Sequence, residues 1–199
     1  MPLALALQHL EESAMQPLRF LPAFVGLMLA LMSVAFLTTP DAAPLSDKPG
    51  TALAGDADAM FLRKAAEAGT FEMEASRIAE KKASSAAVKQ FAAQMIKDHG
   101  AASARMEPIA KRLGIQLPAS PNAAKKEEIL QLSALSGVAF DKAYSQKVGV
   151  DAHQDAVKLF REATDDTKDR DVKAFARNTL PTLQSHLEMA KKVLAEVDK

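Results

Sequence analysis

Residues 85–114, SAAVKQFAAQMIKDHGAASARMEPIAKRLG, carry the pattern that decides the fold. Apolar side chains recur alternately four and three residues apart over about seven turns, which is the spacing of a helix with one buried face. The positions on this face are Val88, Ala92, Met95, His99, Ala102, Met106, Ile109 and Leu113. Ser84-Ser85 supplies a turn and an N-cap, and Gly114 supplies the left-handed residue that ends a helix. The stretch therefore predicts a long amphipathic helix between these two signals.

Three further long helices and one short helix are predicted by the same spacing. Their approximate ranges are 57–83, 122–135 for the short helix, 137–163 and 172–197. Asp56 or Asp58 is the expected N-cap of the first helix, and Ser120-Pro121 is expected to begin the short one. The apolar face of the third long helix changes register near Gly149, which indicates a local adjustment. Pro181 lies inside the last helix and is expected to kink it.

Connection lengths predict how the helices are arranged. Short turns join the first long helix to the second and the third to the fourth, so each pair is expected to form an antiparallel hairpin. The middle connection, residues 114–136, is long enough to return along the bundle. Two hairpins joined by a long crossover that carries a short helix form the ferritin-like arrangement of an all-α four-helix bundle. A simple up-down-up-down bundle is also compatible with the pattern.

The composition excludes several classes of protein. The 199-residue chain has 25 basic and 25 acidic residues, and these are interspersed rather than gathered into the basic face that a nucleic-acid binder needs. It has no cysteine, which excludes disulfides, a thiol nucleophile and a lipid-modified N-terminal cysteine. No glycine-rich phosphate loop or hydrolase elbow occurs. We therefore expect no nucleic-acid partner, and no route to catalysis except through a bound metal ion.

The N-terminal segment predicts export to the periplasm or envelope. Residues 20–37, FLPAFVGLMLALMSVAFL, form an uncharged apolar run that follows a basic residue and precedes a loop-like stretch. This is the layout of a secretory signal, and the run is also nearly long enough to span a membrane. Residues 1–39 are therefore predicted to be a cleaved signal or an uncleaved anchor, with Met15 as the expected true start of the protein. This segment is expected to be the only part of the chain that contacts a membrane. Residues 40–55 are predicted to be a flexible linker and 56–199 the bundle domain.

One ionisable side chain interrupts the apolar face of each long helix: Glu72, His99, His153 and His186. Counted from the helix ends, the four lie within about 9 Å along the bundle axis, so they are expected to form one layer in its middle. Buried titratable groups must be paired, hydrogen-bonded or metal-bound, because an unpaired buried charge is costly. Imidazole and carboxylate are good ligands for zinc, copper, iron or manganese. The four residues are therefore the candidate ligands of one transition-metal ion.

Three other polar residues are candidates for a supporting network. Asp98 points away from the apolar face beside His99 and can serve as an outer partner. Asp141 and Tyr144 lie more than about 12 Å from His153 by helical rise and can form a separate group near the bundle end. A second interpretation of the layer needs no metal, namely a buried polar network that fixes the register of the bundle. A groove for a partner or ligand is a third interpretation, and no catalytic residue is assigned.

Three separated blocks of the sequence resemble a known family. They are EMEASRIAEKKASSAAVKQFAAQMIKDH (72–99), LSGVAFDKAYSQKVGVDAH (135–153) and LPTLQSHLEMA (180–190). In this order they resemble the bacterial exported proteins catalogued as domain of unknown function 4142, DUF4142, whose members often carry a provisional outer-membrane label. The resemblance covers about residues 57–197. It implies a ferritin-like fold and an envelope location, and it implies no established activity.

The ionisable layer departs from the di-iron pattern of ferritin-like enzymes. Those enzymes place Glu three residues before each ligand His on two helices. Here Ile96, Val150 and Leu183 occupy the corresponding positions. A mononuclear site is therefore expected rather than a carboxylate-bridged di-iron site.

Three functional hypotheses follow from these observations. The leading one is a non-enzymatic envelope protein that binds one zinc, copper or iron ion. The alternative is a structural or stress-related interaction module whose polar layer is purely architectural. Redox or oxidase activity is the third, and it would also need an open coordination position on the metal.

Overall fold

The computed structural model describes residues 55–199, and every regular element in that range is helical. In chain order the elements are α1 (Asp56–Lys82), α2 (Ala86–Arg112), α3 (Ala123–Ser133), α4 (Gly137–Tyr144), a π-helical turn (Ser145–Asp151), α5 (Ala152–Asp166) and α6 (Arg170–Val197). The predicted all-α class is confirmed for this part of the chain. No helix within it combines the length and apolarity that a bilayer span requires. The predicted signal or anchor, and the linker as far as residue 54, lie outside the described residues.

The helix α4, the π turn and α5 form one continuous helix, because the residues at both junctions keep right-handed helical backbone angles. The π turn changes the register of the buried face. Val148 follows Tyr144 by four positions in the sequence, whereas His153 follows Val148 by five. This is the adjustment predicted near Gly149. Packing is close at Gly149, because a Cβ atom there would lie 3.0 Å from the Cβ of Ala190 on α6, and a larger residue would need α6 to shift by a few tenths of an ångström.

The apolar core consists of two clusters at different levels of the same helices. The helix α1 packs on α2 and α5 packs on α6, while contacts between α1 and α5 and between α2 and α6 connect these pairs. The first cluster includes Phe61, Met106, Phe160, Phe175 and Leu183. The second includes Phe71, Phe91, Met95, Phe140 and Val148. Met95 and Met106, which were predicted on the buried face of the second long helix, are both buried. His99, His153 and His186 lie between residues of the two clusters, and Glu72 follows Phe71 at the edge of the second cluster.

Two buried aspartates each hold a turn between helices. Asp58 of α1 accepts hydrogen bonds from the backbone N–H groups of Lys168 (2.9 Å) and Asp169 (3.2 Å) in the α5–α6 turn. Asp141 of α4 accepts from the backbone N–H groups of Ser84 (3.1 Å) and Ser85 (2.8 Å) in the α1–α2 turn. Both aspartates are buried, with an exposed fraction of 1 % each. Each turn is therefore fixed by a carboxylate from a helix outside it.

Two predicted helix caps are wrong. The N-cap of α1 is Gly55, not Asp56 or Asp58. The carboxylate of Asp58 lies inside the first turn of α1, where it accepts a hydrogen bond from the Gly55 N–H at 3.3 Å. The same carboxylate also accepts from the α5–α6 turn. The N-cap of α3 is Asn122, whose side chain accepts a hydrogen bond from the backbone N–H three residues later at 2.9 Å. Ser120-Pro121 therefore precedes the cap, and asparagine, an equally good capping residue, replaces serine in this role.

Other predicted boundaries are confirmed. Ser85 caps α2 and accepts from the backbone N–H of Val88 at 3.4 Å. Gly114 follows α2 with a φ of 66°, the left-handed conformation in which a side chain would be strained. The helix α6 continues through Pro181 as far as Val197. The long connection between α2 and α4 contains α3, which packs against α1 and α4.

We predict that Asp141→Ala lowers the free energy of unfolding by about 3 kcal/mol. The substitution leaves two backbone N–H groups of the α1–α2 turn without their charged acceptor. Asp155→Ala, which removes an exposed carboxylate from α5, is the matched control and is expected to change stability by less than about 0.5 kcal/mol. Urea denaturation of the two variants measures both values, and equal stabilities would contradict the role assigned to Asp141.

Candidate metal centre

Each long helix contributes one buried ionisable side chain to a single layer. These are Glu72 from α1, His99 from α2, His153 from α5 and His186 from α6. Their exposed fractions are 1 %, 7 %, 0 % and 2 %, so solvent hydration contributes little to any of them. Helical spacing directs each side chain inward between the two apolar clusters. The structure brings all four predicted residues together.

The three imidazoles converge on one point. Their ring centroids lie 5.6 Å apart for His99 and His153, 5.5 Å for His99 and His186, and 5.3 Å for His153 and His186. One ring nitrogen from each imidazole lies within 4.8 Å of the corresponding nitrogen of the other two. Two nitrogens on one tetrahedral ion lie roughly 3.4 Å apart when the metal–nitrogen bonds are about 2.0–2.1 Å. Small side-chain rotations would therefore close the three nitrogens onto an ion.

Two of the imidazoles are held by an acceptor that cannot donate. The Nδ1–H of His153 donates to the backbone carbonyl of Val148 at 3.0 Å, and the Nε2–H of His186 donates to Oδ2 of Asp98 at 2.9 Å. Because each acceptor has no proton of its own to give, these bonds select the tautomer of each neutral ring. The lone pairs are then on Nε2 of His153 and on Nδ1 of His186.

One ring nitrogen of each of the three histidines has no partner among residues 55–199. Nε2 of His99, Nε2 of His153 and Nδ1 of His186 are all buried without a hydrogen bond. Buried polar atoms without a partner are rare in folded proteins, and here three of them belong to adjacent side chains. On His153 and His186 these are the atoms that carry the lone pairs. The arrangement offers electron pairs to a shared cation.

Glu72 lies against the other ring nitrogens of two of these histidines. Its Oε2 is 3.2 Å from Nδ1 of His99, and its Oε1 is 3.7 Å from Nδ1 of His153. The carboxyl group therefore lies against the Nδ1 atoms of these two rings and not against their unpartnered Nε2 atoms, and its own Oε1 is buried without a hydrogen bond. It is not one of the three groups whose ligand atoms all lie within 4.8 Å of one another. This geometry is typical of an outer carboxylate that orients histidine ligands.

Burial keeps the layer uncharged near neutral pH. It lowers the pKa of His99 to about 3, with the neighbouring His153 and His186 adding to the effect, and lowers the pKa of His153 to about 4. It also lowers the pKa of His186, although the bond to Asp98 opposes this. Burial raises the pKa of Glu72 to about 8, and Lys125 opposes the shift. Neutral imidazoles bind a metal ion without first releasing a proton.

Asp98 connects the layer to the surface. Its side chain is 24 % exposed and accepts hydrogen bonds from His186 and, at 2.6 Å, from the side-chain amide of Gln94. Burial acts to raise the pKa of Asp98, but the bonds from Gln94 and His186 outweigh it and lower the pKa below its usual value. An open groove of about 420 Å³ lies beside this pair and also reaches Pro181 and Ser185. Asp98 is thus an anion in contact with one histidine and with solvent.

The other two predicted network residues lie farther along the bundle. The hydroxyl groups of Tyr144 and Ser76 form a hydrogen bond of 2.7 Å, and Ser76 donates to the backbone carbonyl of Glu72 at 2.6 Å. Asp141 belongs to the α1–α2 turn instead. Tyr144 therefore supports the helix turn that carries Glu72, whereas Asp141 is structural.

Three contributors to this region were not predicted from the sequence: the Val148 carbonyl, Gln94 and Ser76. The carbonyl could not be found from residue types, because any residue has one. Its signal was the register change at Gly149, since a π turn offers carbonyls five residues back in place of four. Gln94 precedes Asp98 by one helical turn, a spacing at which a polar pair on a helix surface can be recognised.

The comparisons with known proteins agree with the fold. The model of the family described as domain of unknown function (DUF4142) matches residues 42–193. None of the curated protein sequences matches the chain.

Two solved structures are similar in fold. A DUF305 fragment from Deinococcus radiodurans has a TM-score of 0.63 and 18 % identity, over 72 % of this chain and 99 % of that one. A DUF305 protein from Streptomyces coelicolor, provisionally described as secreted, has a TM-score of 0.61 and 18 % identity, over 71 % of this chain and 94 % of that one. At this identity the likeness shows the fold alone, a ferritin-like helical fold.

We predict that the metal-free protein is most stable near pH 6.5. Between pH 6.5 and 4.5 the unfolded chain protonates His99 and His153, whose ordinary pKa is 6.5, while in the folded chain both rings stay neutral and Glu72 already holds its proton. The unfolded state then binds more protons, so stability falls as the pH falls. Between pH 6.5 and about 8 only the folded state holds the Glu72 proton, so stability falls as the pH rises.

Urea denaturation at pH 5, 6.5 and 8 in the presence of a chelator measures this profile. Glu72→Gln is expected to abolish the alkaline decline and to keep the acidic one. A stability that increases from pH 6.5 to pH 5 would contradict the assignment of neutral buried imidazoles.

Proposed function

This chain belongs to the DUF4142 family, and we propose that it is an exported protein that binds one divalent transition-metal ion through His99, His153 and His186. The observation that carries the proposal is that three imidazoles, each with one buried and unpartnered ring nitrogen, offer ligand atoms that all lie within 4.8 Å of one another. Three buried ring nitrogens without hydrogen bonds in an apolar core are costly, and on His153 and His186 they carry the lone pair. A cation would satisfy all three together.

The donor set favours zinc, copper(II) or iron(II). Three neutral imidazole nitrogens suit these ions, and the chain has no thiolate that would favour softer metals. Three protein ligands leave a fourth position for water or another small ligand. Copper(II) is expected to bind most tightly, following the usual order of affinity for divalent ions. The proposal concerns binding, and it assigns no catalytic residue.

Glu72 and Asp98 are assigned to positioning the ligands. Asp98 accepts the Nε2–H of His186, and Glu72 lies against the Nδ1 atoms of His99 and His153. A carboxylate in the position of Asp98 holds an imidazole in one orientation and increases its basicity, whereas the neutral carboxyl group of Glu72 orients the two rings that it touches. The earlier expectation that Glu72 is itself a ligand is replaced in this proposal by an outer role.

The proposed site is mononuclear and lies in an antiparallel bundle. The hairpins α1–α2 and α5–α6, joined by a crossover that contains α3, would each contribute two residues to the layer. Both short turns and the contacts within each pair support this arrangement. Ile96, Val150 and Leu183 stand where a di-iron site would need glutamates, which supports a single ion.

Export is proposed from the N-terminal segment. The apolar run over residues 20–37 follows a basic residue and has the composition of a secretory signal or an anchor. One structural neighbour is provisionally described as secreted, which agrees with this. The domain over 56–199 would then meet metal ions outside the cytoplasm.

We predict that the untagged full-length chain, stripped with a chelator, binds one equivalent of copper(II) or zinc in a calorimetric titration. Replacing His99, His153 or His186 singly with Ala should weaken binding more than about a hundredfold, because a lost ligand costs more than a lost outer partner. Gln154→Ala, which changes an exposed neighbour of His153, is the matched control and should bind like the unchanged chain.

Two outcomes would contradict the metal proposal. One is the absence of any one-to-one binding component, and the other is equal affinity in the histidine variants and the Gln154→Ala control. Either result would favour the alternative that the layer is an architectural polar network of an interaction module. In that case the histidine variants would alter stability while leaving metal affinity unchanged.

We further predict that Asp98→Asn weakens metal binding by about 10- to 100-fold while one ion still binds. The amide cannot accept from His186 with the strength of a carboxylate, so the ring loses basicity and orientation. Glu188→Gln on the exposed surface of α6 removes a carboxylate of the same charge and is expected to have no effect. Equal affinities in the two variants would contradict the positioning role of Asp98.

A further inference from the structure

A cavity of about 320 Å³ lies in the first apolar cluster, next to the histidine layer. Its walls come from α1, α2, α5 and α6 and from the connection that follows α2. Apolar residues that line it include Ala65, Ala102, Met106, Phe160, Phe175 and Leu183. The volume is roughly twice that of a dry core cavity that binds benzene, about 150 Å³. The space therefore accommodates an apolar molecule of about twelve non-hydrogen atoms.

The connecting segment 117–119 forms one side of this cavity, and side chains of α1 hold the residues around it. Arg63 donates from Nε to the backbone carbonyl of Gln116 at 3.4 Å, and Oε1 of Glu67 accepts from the backbone N–H of Asn122 at 3.2 Å. Leu117, Pro118 and Ala119 lie between these two bonds and face the cavity. The wall is thus fixed at both ends by polar contacts outside the apolar space.

Three side chains of the cavity wall have a buried polar atom without a partner among the described residues: Glu72 and His99, which belong to the histidine layer, and Thr179, which does not. Thr179 is 3 % exposed, it lines the cavity, and its Oγ1 makes no hydrogen bond. A buried hydroxyl on a helix usually bonds to a carbonyl in the preceding turn, as Thr70 does with Ala66 at 2.9 Å. An unsatisfied hydroxyl at the edge of an apolar space marks a place where a ligand can donate or accept one hydrogen bond.

The charges around the cavity exclude an anion. None of the described residues that line it is Lys or Arg, and its two acidic residues are Glu72 and Glu107. Glu107 is exposed at the rim. In the metal-free protein a ligand carboxylate or phosphate would lose its hydration inside the cavity and would find no cationic side chain there, with the carboxylate of Glu107 at the rim.

We propose that this cavity binds an uncharged small molecule that has an apolar body of about a dozen non-hydrogen atoms and one hydroxyl or carbonyl group bonded to Thr179. The apolar walls of the cavity would contact the apolar part of the ligand, and the hydroxyl group of Thr179 would form a hydrogen bond with its one polar group. The proposal does not depend on metal binding, because none of the three unpartnered ring nitrogens is needed for it. Phenols and alcohols of this size are the expected chemical class.

The first test titrates three probes of similar shape into the full-length chain in the presence of a chelator. 1-Naphthol has the proposed body and hydroxyl, naphthalene lacks the hydroxyl, and 1-naphthoate carries a negative charge. We expect saturable one-to-one binding of 1-naphthol, weaker binding of naphthalene by about three- to tenfold, and the weakest binding for 1-naphthoate. No saturable naphthol binding, or naphthoate binding at least as tight as naphthol, would overturn the proposal.

The second test uses Thr179→Val, which keeps the shape of the side chain and removes its hydroxyl. The variant should bind 1-naphthol about three- to tenfold more weakly and naphthalene as before, so the two probes become similar. Unchanged discrimination between the probes would overturn the assignment of Thr179 as the polar contact. Metal titration of the same variant should match the unchanged chain, which separates this result from a failure of the metal proposal.

A third test fills the cavity with Ala102→Leu and uses Ala101→Leu, on the exposed side of the same helix turn, as the matched control. The filled variant should lose naphthol binding at least tenfold, whereas the control should retain it. Both chains keep the apolar N-terminal run, so adsorption of the probe to that segment cancels. Equal binding by two variants of equal helical content would overturn the location. If Ala102→Leu does not fold, the binding of 1-naphthol and naphthalene by Thr179→Val decides whether the ligand lies in this cavity.

Discussion

The burial of three imidazoles in one layer is the constraint on which the rest of the structure depends. Between the two apolar clusters there is little solvent to hydrate them, so each ring is neutral and each ring nitrogen needs a specific partner. The helices meet this need on one side only, with Asp98, Glu72 and the Val148 carbonyl. One nitrogen on each ring is left without a partner, and this is the basis of our proposal that the three imidazoles share a cation.

The irregular backbone of one helix serves this layer directly. The π turn over Ser145–Asp151 rotates the following helix so that His153 faces inward, and it also presents the carbonyl of Val148 to the same ring. Gly149 lets α6 approach this turn closely, since a larger residue would meet Ala190. A regular helix would have carried the apolar face forward and turned His153 away from the centre. One local change thus provides the orientation, the acceptor and the close packing.

The two ends of the bundle are held by a different kind of interaction. Asp58 and Asp141 are buried carboxylates whose acceptor atoms are occupied by backbone N–H groups of turns that belong to other helices. Because these bonds fix the turns, the middle of the bundle can leave polar atoms without partners and still remain ordered. The cavity beside His99 and the unpartnered hydroxyl of Thr179 lie in this middle region, which is where we propose that ligands bind.

Helical spacing alone was sufficient to predict the four long helices, the short helix of the connection and the four residues of the layer. It succeeded because a 3.6-residue period reports directly which side chains face the core. It could not predict that Glu72 contacts the outer nitrogens of His99 and His153, that Asn122 caps α3, or that Asp58 serves a turn 110 residues away.

Those features depend on the rotation of each helix about its axis, on the π turn and on distances between segments remote in sequence. Helical position specifies the direction of a side chain only to about a third of a turn, and hydrogen bonds require tenths of an ångström. The residue types of the site were therefore readable from the chain. Which ring nitrogens are free, and what surrounds them, was decided by packing.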